Sequence, residues 1–292
     1  MELRNLRAFV EVVRQGGFSQ AAKKVFATQS TVSKAVKQLE DELGLRLLDR
    51  VGHKITQTAA GEIVFRRAQM MLTERDDLIR ELDELRGLQR GVLRLGLPPI
   101  GSSVLFAPLF ATYRRLYPGI EISLVEYGSR RLEEMLLAGE IELAASLLPV
   151  SDAFEWQDVS REPIMALLPD EHPCASGTQA LDLTEIADTP FILFEAGFAL
   201  NRVIFEACSQ LGIEPAIVTR SGQIDFIVEL VAAGMGVAFL PRMIAEQRQH
   251  VGVCMRELAD SELHWHMALL WRRGGYLSHA ARAWLELARK DL

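Results

Sequence analysis

The chain is short of the features that mark most chemistries. Its 292 residues hold three cysteines, Cys174, Cys208 and Cys254, an odd number, far apart and with no CxxC pair. That argues against a disulfide framework and a cysteine zinc site, and leaves free, buried thiols as the expectation. No apolar run approaches the roughly 18 residues that mark a membrane-spanning helix. The first residues, MELRNLRAF, spread their charges and build no long apolar core. They are not read as a signal peptide, and a cytoplasmic protein without membrane contact is expected. No G-x-S-x-G, P-loop or H-E-x-x-H occurs, and Gly234-Met235-Gly236 lacks the rest of a dinucleotide fingerprint. No enzyme chemistry and no cofactor is signalled. His264 and His266 share one face of a strand, but a metal site needs three or four ligands and no third is evident, so no metal is expected.

What remains is a composition of ordinary globular character, 49% hydrophobic and 24% charged, long enough for two or three domains. The net charge of −7 is unevenly spread. Residues 1–58 hold 10 Lys and Arg against 6 Asp and Glu, whereas the residues beyond 87 hold 17 against 26. A basic head on an acidic body is the asymmetry of a protein that docks only its head on nucleic acid.

The head is organised around Gly16–Arg50. Leu3, Leu6, Phe9, Val10 and Val13 make a first amphipathic helix that stops at Gly16-Gly17. Phe18 is placed as a hydrophobic staple, Ser19 as an N-cap, and Ala21, Ala22 and Val25 as a short apolar stripe. Thr28 is a second N-cap, opening a helix from about Gln29 to Leu43 with Val32, Ala35, Val36, Leu39 and Leu43 on one face. The opposite face carries Gln29, Ser30, Thr31, Ser33, Lys34 and Lys37, and the carboxylates Glu40, Asp41 and Glu42 come only at its far end. A short helix, a tight break and a second helix with a polar-to-basic face is the helix-turn-helix pattern, whose second helix enters the major groove by its N-terminal part. Glutamine can pair bidentately with adenine, hydroxyls bond most base edges, and lysines reach phosphates or guanine. On helix spacing alone, a surface helix of an ordinary α-domain fits as well.

The next stretch decides between them. Gly44 ends the helix, and Arg50, His53, Lys54 and Thr56 form a short basic run before Thr58-Ala59-Ala60-Gly61. That reads as a wing of two short strands whose tip lies beside a DNA backbone. Taken with Ala21-Ala22, Ser33-Lys34 and Leu39-Glu40-Asp41-Glu42-Leu43-Gly44, these sixty or so residues closely resemble the LysR-type transcriptional regulators. That family often has proline where Ser30 stands and arginine where Lys34 stands, a departure that bears on base preference.

Residues 59–88 read as one proline-free linker helix. Val64, Ala68, Met71, Arg75, Leu78, Leu82 and Leu85 alternate four and three apart, a coiled-coil seam broken only by Arg75. A helix lying on its own domain is the competing reading, while the resemblance implies a dimer helix. Past Gly87 and Gly91, strands alternate with helices over 89–292: strands at Val92–Leu97, Ile120–Glu126 and Ile141–Leu147, helices at Val104–Leu116 and Ser129–Leu137. A second lobe starts near Glu162, with strands at Pro163–Leu168, Phe191–Phe194, Ala216–Arg220 and Val237–Leu240 and helices at Leu200–Leu211 and Gln223–Ala232. The strand Trp265–Trp271 and the helix Leu277–Lys290 return to the first lobe. The expected fold is therefore α/β: an all-α winged-helix domain over 1–58, then a two-lobed, Rossmann-like effector domain. Lobe I takes about 89–161 and 265–292, and lobe II about 162–264.

Open α/β sheets bind ligands beyond the C-terminal ends of their strands. Here those ends meet helix starts at Pro98–Ser103, Tyr127-Gly128-Ser129, Glu195–Phe198 and Ser221-Gly222-Gln223. Free amides at such starts suit an anion, which places a carboxylate-bearing effector between the lobes, against Pro99, Ile100, Ser102, Ser103, Gly128, Ser129, Phe198 and Gln223. Plain capping by Ser103, Ser129 and Ser221 is the competing reading at each start. Arg130 and Arg202 lie near these starts and read either as anion partners or as solvated surface residues.

The resemblance implies a dyad DNA operator, a homodimer through the linker helix, a homotetramer through the effector domains, and RNA polymerase as a further candidate partner. Two alternatives stand beside it. One is a regulator of the same family that responds to thiol oxidation at Cys208. The other is a cytoplasmic small-molecule-binding α/β protein without DNA recognition.

Overall fold

A computed structural model describes residues 1–51, 54–85, 91–177, 179–259 and 263–291, with the backbone alone at Arg50, Val51, Lys54, Asp83–Leu85 and Asp291. The chain divides into two compact units.

The first unit opens with three helices, α1 (Leu3–Gln15), α2 (Phe18–Lys24) and α3 (Gln29–Leu43). Leu6, Phe9 and Val10 of α1 meet Ala21 and Ala22 of α2 and Val32, Val36 and Leu39 of α3 in one buried core. Gly16 and Gly44, both at φ 67°, end α1 and α3 in the left-handed conformation that glycine adopts at least cost. Ser19, expected to cap α2, lies inside it instead. Gly17, with extended backbone, takes the cap position, so Phe18 becomes the first helical residue and packs on the core. The Thr28 hydroxyl does cap α3, accepting from the Thr31 amide at 3.2 Å.

Two short strands follow, β1 (Leu48–Val51) and β2 (Lys54–Gln57), paired antiparallel with Leu48 opposite Gln57. Glu40 anchors them: one carboxylate oxygen accepts from the amides of Leu47 at 2.7 Å and Leu48 at 3.3 Å. The first carboxylate of α3 is thus spent on the wing rather than left on the polar face. Thr58 then caps α4 (Ala59–Leu85), accepting from the Gly61 amide at 3.0 Å while donating to the Arg46 carbonyl at 2.7 Å.

The seam of α4 divides along its length. Val64, Ala68 and Leu72 pack on the head's own core. Met71, Leu78 and Leu82 are exposed, as are Ile63, Met70 and Ile79. The early part of the helix therefore follows the reading in which it lies on its own domain, and the later part keeps an unburied apolar face.

The second unit is built on a seven-stranded sheet. Strands β3 (Val92–Leu97), β4 (Glu121–Glu126) and β5 (Leu143–Leu147) are mutually parallel, with β3 in the middle. Helix α5 (Pro99–Leu116) joins β3 to β4, and α6 (Ser129–Leu137) joins β4 to β5. Strand β6 (Phe154–Pro169) differs from expectation. It is one 16-residue strand rather than a short one starting at Pro163. Its first part pairs antiparallel with β11 (His264–Arg272), and its last part with β9 (Ala238–Pro241) and β10 (Val253–Glu257). β6 therefore belongs to both lobes and carries the chain from one to the other.

In the second lobe, β7 (Phe191–Phe194) and β8 (Ile217–Ser221) are parallel, joined by α7 (Ala199–Gln210), and α8 (Ile224–Ala232) leads from β8 to β9. A five-residue α9 (Arg242–Glu246) follows β9. The terminal α10 (His279–Asp291) returns to the first lobe: Trp284 packs edge-on against Phe110 and Tyr113 of α5, and the Tyr113 hydroxyl donates to the Ala280 carbonyl at 2.8 Å. Burial pushes the Tyr113 hydroxyl far above its ordinary range, so it stays a neutral donor there. Among the described residues no helix is long and apolar enough to cross a membrane.

Candidate nucleic-acid interface and ligand cleft

The outward face of α3 presents Gln29, Ser30, Thr31, Ser33, Lys34 and Lys37, all exposed. The start of this face is prearranged by hydrogen bonds. Ser19, one helix earlier, donates to the Gln29 side-chain oxygen at 3.1 Å. That leaves the Gln29 amide nitrogen and the second lone pair of its oxygen to an outside partner. The hydroxyls of Ser30 and Thr31 lie 2.9 Å and 2.8 Å from the capping Thr28 hydroxyl. An oriented amide fork followed by hydroxyls and two ammonium groups matches base edges at a helix start and phosphates beside them. Sequence reasoning named these residues but missed the role of Ser19, which its proximity to the break between the helices could have signalled. Arg50 and Lys54 fall on β1 and β2, but their side chains, and His53 entirely, lie outside the described residues.

In the second unit, a cavity of about 490 Å³ opens between the lobes. That is the size of a small-metabolite site. Its walls come from the start of α6, the loop after β5, the loop and first turns of α7, and the end of β8. Its lining is in part cationic and hydroxylic, with Ser129, Arg130, Ser151, Arg202 and Arg220, and in part apolar, with Pro149, Val150, Phe198 and Phe205; Glu133 is the acidic member.

The three arginines are not equivalent. Arg202 spans the lobes, donating to the carbonyls of Leu147 and Pro149, both at 3.2 Å. Arg130 pairs with Glu134 one helical turn on, at 3.5 Å. Arg220, exposed at the end of β8, pairs through its backbone with β7, but its guanidinium has no hydrogen-bond or ion-pair partner among the described residues. Glu133 accepts from Ser146 at 2.8 Å. Asn201 is committed too: it donates to the carbonyls of Phe194 and Glu195 and accepts from the Phe194 amide at 3.1 Å, fastening α7 to β7. Phe198 stacks on Phe194 with centroids 5.3 Å apart, which fixes the apolar wall.

Of the residues expected to hold an effector, Ser129 and Phe198 line this cavity. Gly128 adjoins it, packed against the backbone of Gly197. Pro99, Ile100, Ser102, Ser103 and Gln223 do not line it. The helical path of α5 is interrupted at Ile100 and Gly101, Ile100 is buried in the core, and Ser102 donates to the Pro98 carbonyl. Ser103 and Gln223 are exposed, and the Gln223 amide is taken by the Ser221 hydroxyl at 3.1 Å. One of the amides opening α6, that of Arg130, donates to the Gly197 carbonyl at 3.4 Å and joins the lobes. Arg220, Glu133 and the 149–151 loop were missed. They carry no local signal, because only the approach of two lobes brings them together.

His264 lies 3.5 Å from Arg161, and His266 pairs with Asp158 at 2.5 Å. Among the described residues no group of three metal-ligating side chains forms. Cys208 is buried within α7, and burial pushes its thiol up, away from the thiolate that reacts with oxidants.

Comparisons with known proteins agree over the whole length. The family model described as "Bacterial regulatory helix-turn-helix protein, lysR family" matches residues 3–62, and "LysR substrate binding domain" matches residues 86–292. The HTH-type transcriptional regulator YwbI of Bacillus subtilis (strain 168) is 34% identical, covering 100% of this chain and 97% of that protein. A full-length OxyR, a cysteine variant from Pseudomonas aeruginosa, matches with a TM-score of 0.70 at 25% identity, covering 99% of this chain and 95% of its own. Full-length CbnR, solved in complex with its target DNA, shares the fold with a TM-score of 0.61 at 21% identity over 100% of both chains.

Proposed function

Because the chain belongs to the LysR family of bacterial helix-turn-helix transcriptional regulators, we propose that it acts in the cytoplasm by binding rather than by catalysis, reading a dyad operator with α3 and sensing an anionic metabolite between its lobes. The observation that carries the DNA reading is the outer face of α3, exposed from Gln29 to Lys37 without a carboxylate and with Glu40 turned onto the wing. Gln29 reads a base, Ser30, Thr31 and Ser33 bond base edges or phosphates, and Lys34 and Lys37 meet the backbone, with Arg50, His53 and Lys54 of the wing beside it. The exposed Met71, Leu78 and Leu82 of α4 are the seam that pairs two heads at a fixed spacing. Two such dimers associate through their effector domains.

The proposed effector is a small carboxylate with an apolar body. Arg220 supports this, being an uncommitted cation in a cleft that also offers Phe198 and Phe205. Such a ligand favours one arrangement of the lobes, which alters the spacing of the heads and the bend of the DNA between them. It has this effect only to the extent that it binds the two arrangements differently. Thiol oxidation at Cys208 is the weaker reading, given its burial and raised pKa.

Substitution tests both halves. Gln29→Ala is expected to cost about 1–3 kcal/mol of specific binding and little non-specific binding. Lys34→Ala is expected to weaken binding to all sequences and make the log–log salt dependence shallower by about one. Fluorescence anisotropy on operator and scrambled duplexes reads both effects, and equal losses on the two duplexes for Gln29→Ala would reduce that residue to positioning. For the cleft, a thermal-shift panel of small aliphatic and aromatic carboxylates should raise the wild-type midpoint. Arg220→Gln should need about tenfold more ligand for the same shift, the order of one charged hydrogen bond. An undiminished response would remove Arg220 as the anchor.

A further inference from the structure

Phe26 stands in the break between α2 and α3 and is 98% exposed. Its φ is +55°, and it is the one non-glycine residue with positive φ in the described chain. Both facts count against a phenylalanine. The left-handed conformation brings Cβ close to the following carbonyl and strains any bulky residue, whereas glycine or asparagine takes it at little cost. The site follows the C-terminus of α2, where those two residues are the usual choices. The geometry itself is needed, since Ala27 donates back to the Ala22 carbonyl at 2.9 Å and turns the chain toward the cap at Thr28. The ring is not needed for that turn. It buries almost nothing, so within this chain it contributes strain without a compensating contact.

Its place shows where a compensating contact would lie. Phe26 is three residues before Gln29 and closely follows the exposed pair Lys23 and Lys24. An aromatic ring just after a pair of basic residues, at the edge of a surface of hydroxyls and amides, suits the rim of a DNA groove, where charged phosphates alternate with apolar deoxyribose faces and thymine methyl groups. We infer that Phe26 is a DNA-contact residue: its ring packs on a deoxyribose or a thymine methyl at the groove edge when the start of α3 is in the major groove, and this contact offsets the strain of its backbone. The inference rests on the proposed docking of α3, and it adds an apolar contact to a surface otherwise read as polar.

The two effects have opposite signs, which makes the test sharp. Phe26→Asn, in the full-length protein, should raise the unfolding midpoint of the head by about 4–8 °C, the shift expected for relieving strain of this kind in a domain of that size. It should also weaken operator binding about tenfold or more, as expected when a buried aromatic contact is lost. Phe26→Gly should follow it in DNA binding. Repeating the titration on an operator with deoxyuridine in place of thymidine separates the two partners. If the wild type weakens on that duplex and the variant does not, the ring meets a methyl group; if neither weakens, it meets deoxyribose. Operator affinity unchanged in both variants would overturn the inference while leaving the regulator reading intact, provided the wild type prefers its operator. A lower midpoint would assign the ring a structural role, and a changed sedimentation mass would place it between copies of the chain. Either result also overturns the inference. A wild type without operator preference would remove the inference and the regulator reading together.

Discussion

Gly61→Ala is expected to destabilise the DNA-binding head by about 3 kcal/mol or more and to remove specific DNA binding with it. A β-carbon at Gly61 falls 2.0 Å from the Leu47 carbonyl oxygen and 3.0 Å from its carbon. Flexible neighbours can yield to such an overlap, but this one is backbone held from three directions. The Leu47 amide is bonded to Glu40 at 2.7 Å, its carbonyl accepts from the Thr58 amide at 3.1 Å, and its side chain is fully buried. Relief therefore requires separating the start of the wing from the first turn of α4. That separation breaks the Thr58 cap and shifts β1 and β2, which Glu40 ties to α3 through the Leu47 and Leu48 amides. Urea unfolding of the full-length protein should show an early transition for the head while that of the effector unit stays in place. An unchanged profile with normal DNA binding would mean that the helix and wing are not joined in this way.

Gly128→Val is expected to cost about tenfold or more in effector affinity and to blunt the response of the DNA complex, while binding to DNA without effector is preserved. Gly128 is where the lobes approach backbone to backbone. A β-carbon there falls 2.8 Å from the Gly197 oxygen and 3.0 Å from its carbon. Gly197 has φ +102°, a conformation open to few other residues, so it cannot readily rearrange. The branched side chain would prise the start of α6 from the start of α7, stretching the bond from the Arg130 amide to the Gly197 carbonyl. Ser129 and Phe198, on opposite lobes, would then no longer line one cavity for the proposed effector. A conformational bias of about 1–3 kcal/mol is the ordinary scale of such coupling and corresponds to the stated loss. Anisotropy of the DNA complex with and without a carboxylate found by thermal shift reads the effect directly. A wild-type response would show that the ligand does not depend on lobe closure at this point.

How far the sequence foretold the structure depended on how local the signal was. α3 runs from Gln29 to Leu43 as its spacing indicates, because a cap at Thr28 and a terminator at Gly44 bound one apolar stripe. α6 and β7 are equally well bounded by their neighbours. The first half of β6 was not legible, because Glu155, Gln157, Asp158 and Arg161 leave it polar, and its extended form is held by pairing with β11 about a hundred residues away. The cleft was half legible. Ser129 and Phe198 stand at strand-to-helix transitions that can be read in sequence, whereas Arg220 enters only because the second lobe folds over the first. Phe26 carries no local sequence signal, and only its backbone angle and exposure mark it as unusual.

The proposed reading of DNA by α3 belongs to a protein whose overall charge is negative. Its most direct test is fluorescence anisotropy of the purified protein on the DNA upstream of its own gene, against scrambled DNA, across a salt series. Tight binding with a clear preference for the upstream sequence and a steep fall in affinity with salt is expected. Equal binding to both duplexes at every salt concentration, or none to either, would contradict it.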